Sequence, residues 1–128
     1  MRRIVIIFVL LFLLVACGDN DKEKKDDKGP TLEPQAAAGR QVFRTHCATC
    51  HAVEGDRIIV GPSLQGVANR AGSRVDDLDA AEYLQQSIIA PNSYVVEGFV
   101  SGTMPQNFAV DLTSEEVDRL VTYLLTLK

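Results

Sequence analysis

The run Cys47-Ala48-Thr49-Cys50-His51 sets two thiols one helical turn apart, with an imidazole directly behind the second. This is the C-x-x-C-H spacing of covalent haem attachment. Cysteines three apart on one turn reach the two vinyl groups on adjacent edges of a porphyrin, and the thioethers then fix the ring against the chain. The next residue, His51, is delivered beneath the iron as proximal ligand, and Met or His on the other face completes six-coordination. Two other chemistries use paired cysteines. A thioredoxin-like C-x-x-C follows a strand in a βαβ pattern, and no strand pattern precedes Cys47. A structural zinc site wants four ligands, usually two such pairs. Here there is one pair, and the only other histidine, His46, adjoins it. His46 sits too close in the chain to reach the far face of the same ring. It is expected on the surface or against the first helix.

The second axial ligand must come from elsewhere. Met104 is the only methionine besides Met1. A lone methionine is ordinarily core filler, but this one lies in the turn Gly102-Thr103-Met104-Pro105 and not on a helical stripe. Gly102 lets the backbone approach a ring closely, and Pro105 stiffens the turn. Met104 is therefore the candidate distal ligand.

The pattern around these residues is helical. Pro34 suits a first helical position, and Ala38, Gly39, Val42, Phe43 and His46 recur at three- and four-residue spacing up to Cys47. A Gly/Pro-rich loop is expected from Ala52 to about Ser73, containing Gly61-Pro62-Ser63-Leu64-Gln65-Gly66. Asp79 with Glu82 reads as a capping box, Leu78 and Tyr83 as a hydrophobic staple, and that helix should run to about Ala90, before Pro91-Asn92. Thr113 with Glu116 opens a last helix whose apolar stripe is Val117, Leu120, Val121 and Leu124, continued by Leu127. The expectation is an all-α domain over residues 36–128, three to five short helices with long loops. Loops of that length in a small domain call for a reason, and wrapping a large flat cofactor supplies one.

The amino terminus reads as targeting sequence. Arg2 and Arg3 precede an unbroken apolar run from Ile4 to Val15. About a dozen residues is a signal-peptide core, while a bilayer span needs roughly 20. Leu14-Val15-Ala16-Cys17 resembles a bacterial lipobox, which implies cleavage after residue 16 and a diacylglyceryl group on Cys17. The alternative is a short uncleaved anchor helix. Residues 17–35 then carry the lipidated cysteine and a stretch in which five acidic residues alternate with four lysines and apolar residues are nearly absent. Such a segment cannot bury enough surface to order itself and reads as a solvated tether. The formal net charge of −4 over 128 residues gives no sign of nucleic-acid binding. An extracytoplasmic, lipid-anchored monomer is the expected form.

Together these motifs resemble class I cytochromes c over about residues 36–128. They are Gly39 with Phe43, the C-x-x-C-H at 47–51, Gly61 to Gly66, Met104-Pro105, and Leu112-Thr113-Ser114-Glu115-Glu116. The resemblance implies one covalent haem c on Cys47 and Cys50, with His51 and Met104 as axial ligands. It implies that the first and last helices cross at Gly39, with Phe43, Leu120 and Tyr123 around the crossing. It also implies that the Pro62 carbonyl accepts a hydrogen bond from the proximal imidazole. The stretch 82–104 is similar to the haem domain fused to subunit II of some haem-copper oxidases. The copper-binding part of that subunit has no counterpart here. Many relatives place a tryptophan beside a haem propionate. This chain has none, and Tyr94 or Asn92 is the candidate substitute.

Two strong axial ligands leave no open position on iron, which suits outer-sphere electron transfer and not turnover of a substrate. The first expectation is a tethered respiratory carrier between a quinol-oxidising complex and a terminal oxidase. The alternative is an electron-accepting subunit of a membrane or periplasmic dehydrogenase. A haem gas sensor or peroxidase, in which Met104 detaches, is the third reading.

Overall fold

A computed structural model describes residues 32–128. The signal segment, the lipidation candidate Cys17 and most of the proposed tether lie outside the described residues. Five α-helices follow one another: α1 (Pro34–His46), α2 (Val67–Arg70), α3 (Ala80–Ile89), α4 (Phe108–Asp111) and α5 (Ser114–Leu124), with a 3₁₀ turn at Ala71–Ser73. Among the described residues the only β-type pairing is an isolated bridge between His51 and Ile58. The domain is all-α, as the sequence patterning implies.

The three longer helices begin where local chemistry says they should. α1 has proline in its first turn, where the missing N–H costs nothing. α3 and α5 both carry complete capping boxes. Asp79 accepts from the Glu82 N–H at 2.9 Å while Glu82 accepts from the Asp79 N–H at 2.8 Å. Thr113 and Glu116 repeat the exchange, and the Thr113 hydroxyl also donates to Glu116. These bonds to Thr113 hold the Glu116 carboxyl below its ordinary pKa. A depressed carboxylate favours the folded state above its unfolded pKa, and that contribution is lost as pH falls through the folded value.

The most extensive helix pair is α1 against α5. Their backbones nearly touch at Gly39, where an added Cβ would stand 1.8 Å from the Arg119 carbonyl oxygen. Beside this point the rings of Phe43 and Tyr123 meet at 5.6 Å, tilted by 55°. Leu120, 1% exposed, lies at the centre of the core. The C-terminal tail closes back on the other side of the chain, with the Ala68 N–H donating to the Leu127 carbonyl.

Two elements differ from the sequence expectation. The loop expected from Ala52 to Ser73 ends in α2 and the 3₁₀ turn, and α4 interrupts the second irregular stretch. Helices of four residues are too short to show periodicity and are marginal alone. They exist here because Val67, Ala71 and Phe108 are buried against the rest.

Replacing Gly39 with alanine should therefore push α1 off α5. We expect a loss of about 1–3 kcal/mol or more, read as a lower denaturation midpoint in guanidinium titrations.

Candidate cofactor site

Between the helices and the two long loops lies an open cleft of about 310 Å³, within the usual size range for ligand sites. Its lining is mostly apolar, from residues such as Phe43, Leu84, Ile88, Phe108, Leu120 and Leu124. Cys47, Cys50, His51 and Met104 all face onto this one cleft. The structure thus gathers residues that are up to 57 positions apart in the sequence (from Cys47 to Met104).

The first three are placed by the end of α1. The helix runs into a turn in which Cys50 and His51 both donate backbone N–H groups to the Cys47 carbonyl, at 3.0 and 2.9 Å. The following loop then folds back. Val60 and Gly61 donate to the Cys50 carbonyl, and Leu64 donates to the Ala52 carbonyl at 2.7 Å. This return lays Gly61-Pro62 against the imidazole. His51 Nδ1 lies 2.8 Å from the Pro62 carbonyl oxygen. A carbonyl only accepts, so Nδ1 carries the proton, and in the neutral ring Nε2 is left with its lone pair. Gly61 is required by the same packing: a Cβ there would come 2.4 Å from His51 Cε1.

The two thiols are half-buried and unbridged. Burial, with Cys50 alongside, pushes the Cys47 thiol up to about 11. Among the described residues no cluster of three His, Cys, Asp or Glu side chains gathers to hold a metal ion.

Met104 is half-buried and packs against the core cluster. Its backbone carbonyl accepts from the Gln106 side-chain amide at 2.6 Å, and Gly102 turns with φ +81°. Tyr94 lines the cleft with its ring edge-on to buried Tyr83, at 5.6 Å and 79°. Asn92 is exposed, and its Oδ1 accepts from the Ser101 hydroxyl at 2.9 Å and the Gly102 N–H at 2.8 Å. His46 remains exposed, but its contact is with Phe108 of α4, ring edge to face at 6.3 Å, and it borders the cleft.

Two arginines were missed by sequence reasoning. Arg70 and Arg74 both border the cleft. Arg70 donates to the carbonyls of Gln65 (2.5 Å) and Ser63 (2.7 Å), tying α2 to the loop that carries Pro62. Partial burial and the neighbouring Arg74 lower the Arg70 pKa from its ordinary value. Their four-residue spacing was visible in the sequence, but nothing in it distinguishes a cleft-facing pair from a solvated one.

The donor set fits a covalently held porphyrin: two adjacent thiols, one oriented imidazole, one thioether and an apolar surround, with cations at its border. Among the described residues, no set of three or more metal-ligating side chains gathers here to make a zinc site. Comparison with known proteins points the same way. A family profile described as Cytochrome c matches residues 36–128. Cytochrome c-551 of Bacillus subtilis (strain 168) is 41% identical over 66 residues, covering 49% of this chain and 56% of the relative. A cytochrome c-553-like protein of Synechocystis is 30% identical over 96 residues, covering 75% of this chain and 72% of the relative. The chain thus spans little more than half the length of the first of these relatives.

The Gly61–His51 contact makes a specific expectation. A methyl at position 61 must turn the imidazole off the Pro62 carbonyl. In Gly61→Ala the His51 Nδ1 proton should exchange with solvent roughly tenfold faster by NMR, the loss expected for one hydrogen bond.

Proposed function

The chain belongs to the cytochrome c family, and from that premise we propose that it is a monohaem electron carrier held to the outer face of a membrane. The observation that carries the proposal is the shared cleft, where Cys47, Cys50, His51 and Met104 converge within an apolar wall. Bound haem c supplies a one-electron iron couple. The remaining work falls to the polypeptide.

Cys47 and Cys50 hold the ring by thioethers. His51 offers Nε2 to iron, and the hydrogen bond to Pro62 fixes both the tautomer and the plane of the imidazole. Met104 offers its sulfur from the second loop. A soft thioether favours the ferrous state relative to bis-histidine ligation. The apolar lining would keep water away from the bound group and limit rearrangement around it. Arg70 and Arg74 are suited to the negatively charged propionates, with Tyr94 and Asn92 as the uncharged candidates. Held from two sides by His51 and Met104, the group would be suited to passing electrons and not to binding a substrate.

The partner surface is argued from charge. Residues 36–128 hold seven Lys/Arg against eleven Asp/Glu, so a strongly basic docking ring is not expected. Val60 and Val100, about half and three-quarters exposed, stand at the border of the cleft. A small, transient, mainly apolar docking patch follows, and its reaction rates should depend only weakly on salt. The partners proposed are a quinol-oxidising complex on one side and a terminal oxidase on the other. The second reading keeps the same site but makes the domain the electron-accepting subunit of a dehydrogenase. Co-purification separates the two.

Attachment is proposed through the lipid on Cys17. No helix among the described residues is long and apolar enough to cross a membrane.

Two variants test the axial pair. His51→Ala should yield no haem-bearing protein. Met104→Ala should retain covalent haem, bind carbon monoxide when reduced, and lose on the order of 0.1 V in potential, within the ~0.8 V range that axial ligands control. An unchanged visible spectrum in Met104→Ala refutes the distal assignment. For the anchor, Cys17→Ser should move the cytochrome from the membrane to the soluble fraction. Mass spectrometry of the parent should find the acyl chains on residue 17, and an intact unprocessed amino terminus would refute the lipid anchor.

A further inference from the structure

The site described above leaves one polar arrangement without a role. Asn92 follows directly after Pro91, which is buried and has a fixed φ. The side chain therefore projects from a firmly placed point at the end of α3. Its Oδ1 spans the chain to Ser101 and Gly102, accepting from a hydroxyl at 2.9 Å and from a backbone N–H at 2.8 Å. One oxygen thus takes two donors from consecutive residues. Met104 is two residues further on. The segment 92–102 is closed by this clasp into a loop of which Tyr94, Val95, Val96, Phe99 and Val100 line the cleft.

Within the loop, ordering bonds are few and local: Ser93 to Ala90, Phe99 to Val96 and Thr103 to Val100, all backbone. Past the turn, Gln106 reaches back only to Met104 itself. Gly102 has φ +81°, a conformation that glycine does not enforce, since it populates many others. Something must hold the turn in the form that aims Met104 at the cleft. The Asn92 clasp is the side-chain bond that ties residues 101–102 to a helix end.

We propose that Asn92 is a positioning residue for the distal ligand, its side-chain carbonyl fixing the turn that presents Met104 to iron. The proposal rests on Met104 being that ligand. It makes the bound methionine one state of a two-state loop, clasped or released. A foreign ligand reaches the iron only from the released state, so its apparent dissociation constant varies inversely with the population of that state. Two exposed hydrogen bonds contribute modestly, and their combined loss should change that population about tenfold.

The test uses the full-length, haem-loaded protein in its oxidised form, titrated with imidazole, a ligand that must displace methionine. Asn92→Ala should bind imidazole about tenfold more tightly than the parent. Asn92→Asp keeps the shape and the acceptor oxygen, and should stay within about twofold of the parent. Ser101→Ala removes one donor from an exposed site without threatening the fold, and should fall between, near threefold. Parental imidazole affinity in Asn92→Ala overturns the proposal, as does an Asn92→Asp variant that behaves like alanine. If Asn92→Ala yields no holoprotein, Ser101→Ala decides, and parental affinity there overturns it. Met104→Ala serves as the reference. If it fails to open the site, the distal-ligand reading itself is wrong. If it opens the site, Asn92→Ala added to it should have no further effect, and an additional tightening in that background would show that Asn92 acts other than through Met104.

Discussion

The hydrogen bond from His51 to the Pro62 carbonyl is the interaction on which the site depends. It decides which imidazole nitrogen faces the cleft, and it does so with a backbone acceptor that cannot titrate or rotate away. The geometry that permits it is shared among several residues. The Cys50 carbonyl takes two N–H groups from the returning loop, which sets Gly61 flat against the ring. Gly61 has no Cβ to prevent this approach. Arg70 then binds the loop again just past the proline, through the carbonyls of Ser63 and Gln65. Residues 50–70 form a cradle for one imidazole. Without it, His51 would be a half-buried side chain free to present either nitrogen.

The cleft is also part of the core. Phe43, Leu84, Ile88, Phe108, Leu120 and Leu124 belong both to the buried cluster and to the cleft wall. A domain of fewer than a hundred described residues buries a modest apolar area from its own side chains. A covalently held, flat, apolar ring among these residues therefore completes the packing as well as supplying the chemistry. The α1–α5 crossing, with its close contact at Gly39, supplies the rigid frame from which the Cys47–His51 turn emerges. Structure and cofactor attachment are coupled through the last turn of one helix.

The parts of this arrangement that were legible in the sequence are those written in local chemistry. Asp79 with Glu82 and Thr113 with Glu116 announce helix starts because each box closes within four residues. Cys47 to His51 declare themselves for the same reason. The Val117–Leu124 stripe shows through its periodicity. What stayed hidden depends on chain return. α2 and α4 are single turns stabilised by burial and not by their own pattern. Arg70 and Arg74 look like any surface pair until the 61–66 loop brings their backbone partners and the cleft beside them. Nothing local reveals that the donors to Asn92 Oδ1 lie nine and ten residues ahead. Cys17 and the preceding signal remain readings of sequence alone.

The two axial sides are built differently, and the difference bears on function. On the His51 side, the proposed ligand directly follows Cys50 and opens a loop pinned by repeated backbone bonds and by an arginine. On the Met104 side, the proposed ligand sits in an exposed turn, bounded by Gly102 and Pro105, whose side-chain ties are the Asn92 clasp and the Gln106 bond. The Met104 turn is thus held by fewer bonds than the His51 loop. In a carrier, the coordination shell must stay closed through each oxidation and reduction, because an opened site would admit water and cost reorganisation. The stability of the closed state is consequently set by the weaker side. Selection on how firmly such a protein holds its electron couple should act on the few residues that clasp the 92–105 segment, more than on the well-braced proximal loop.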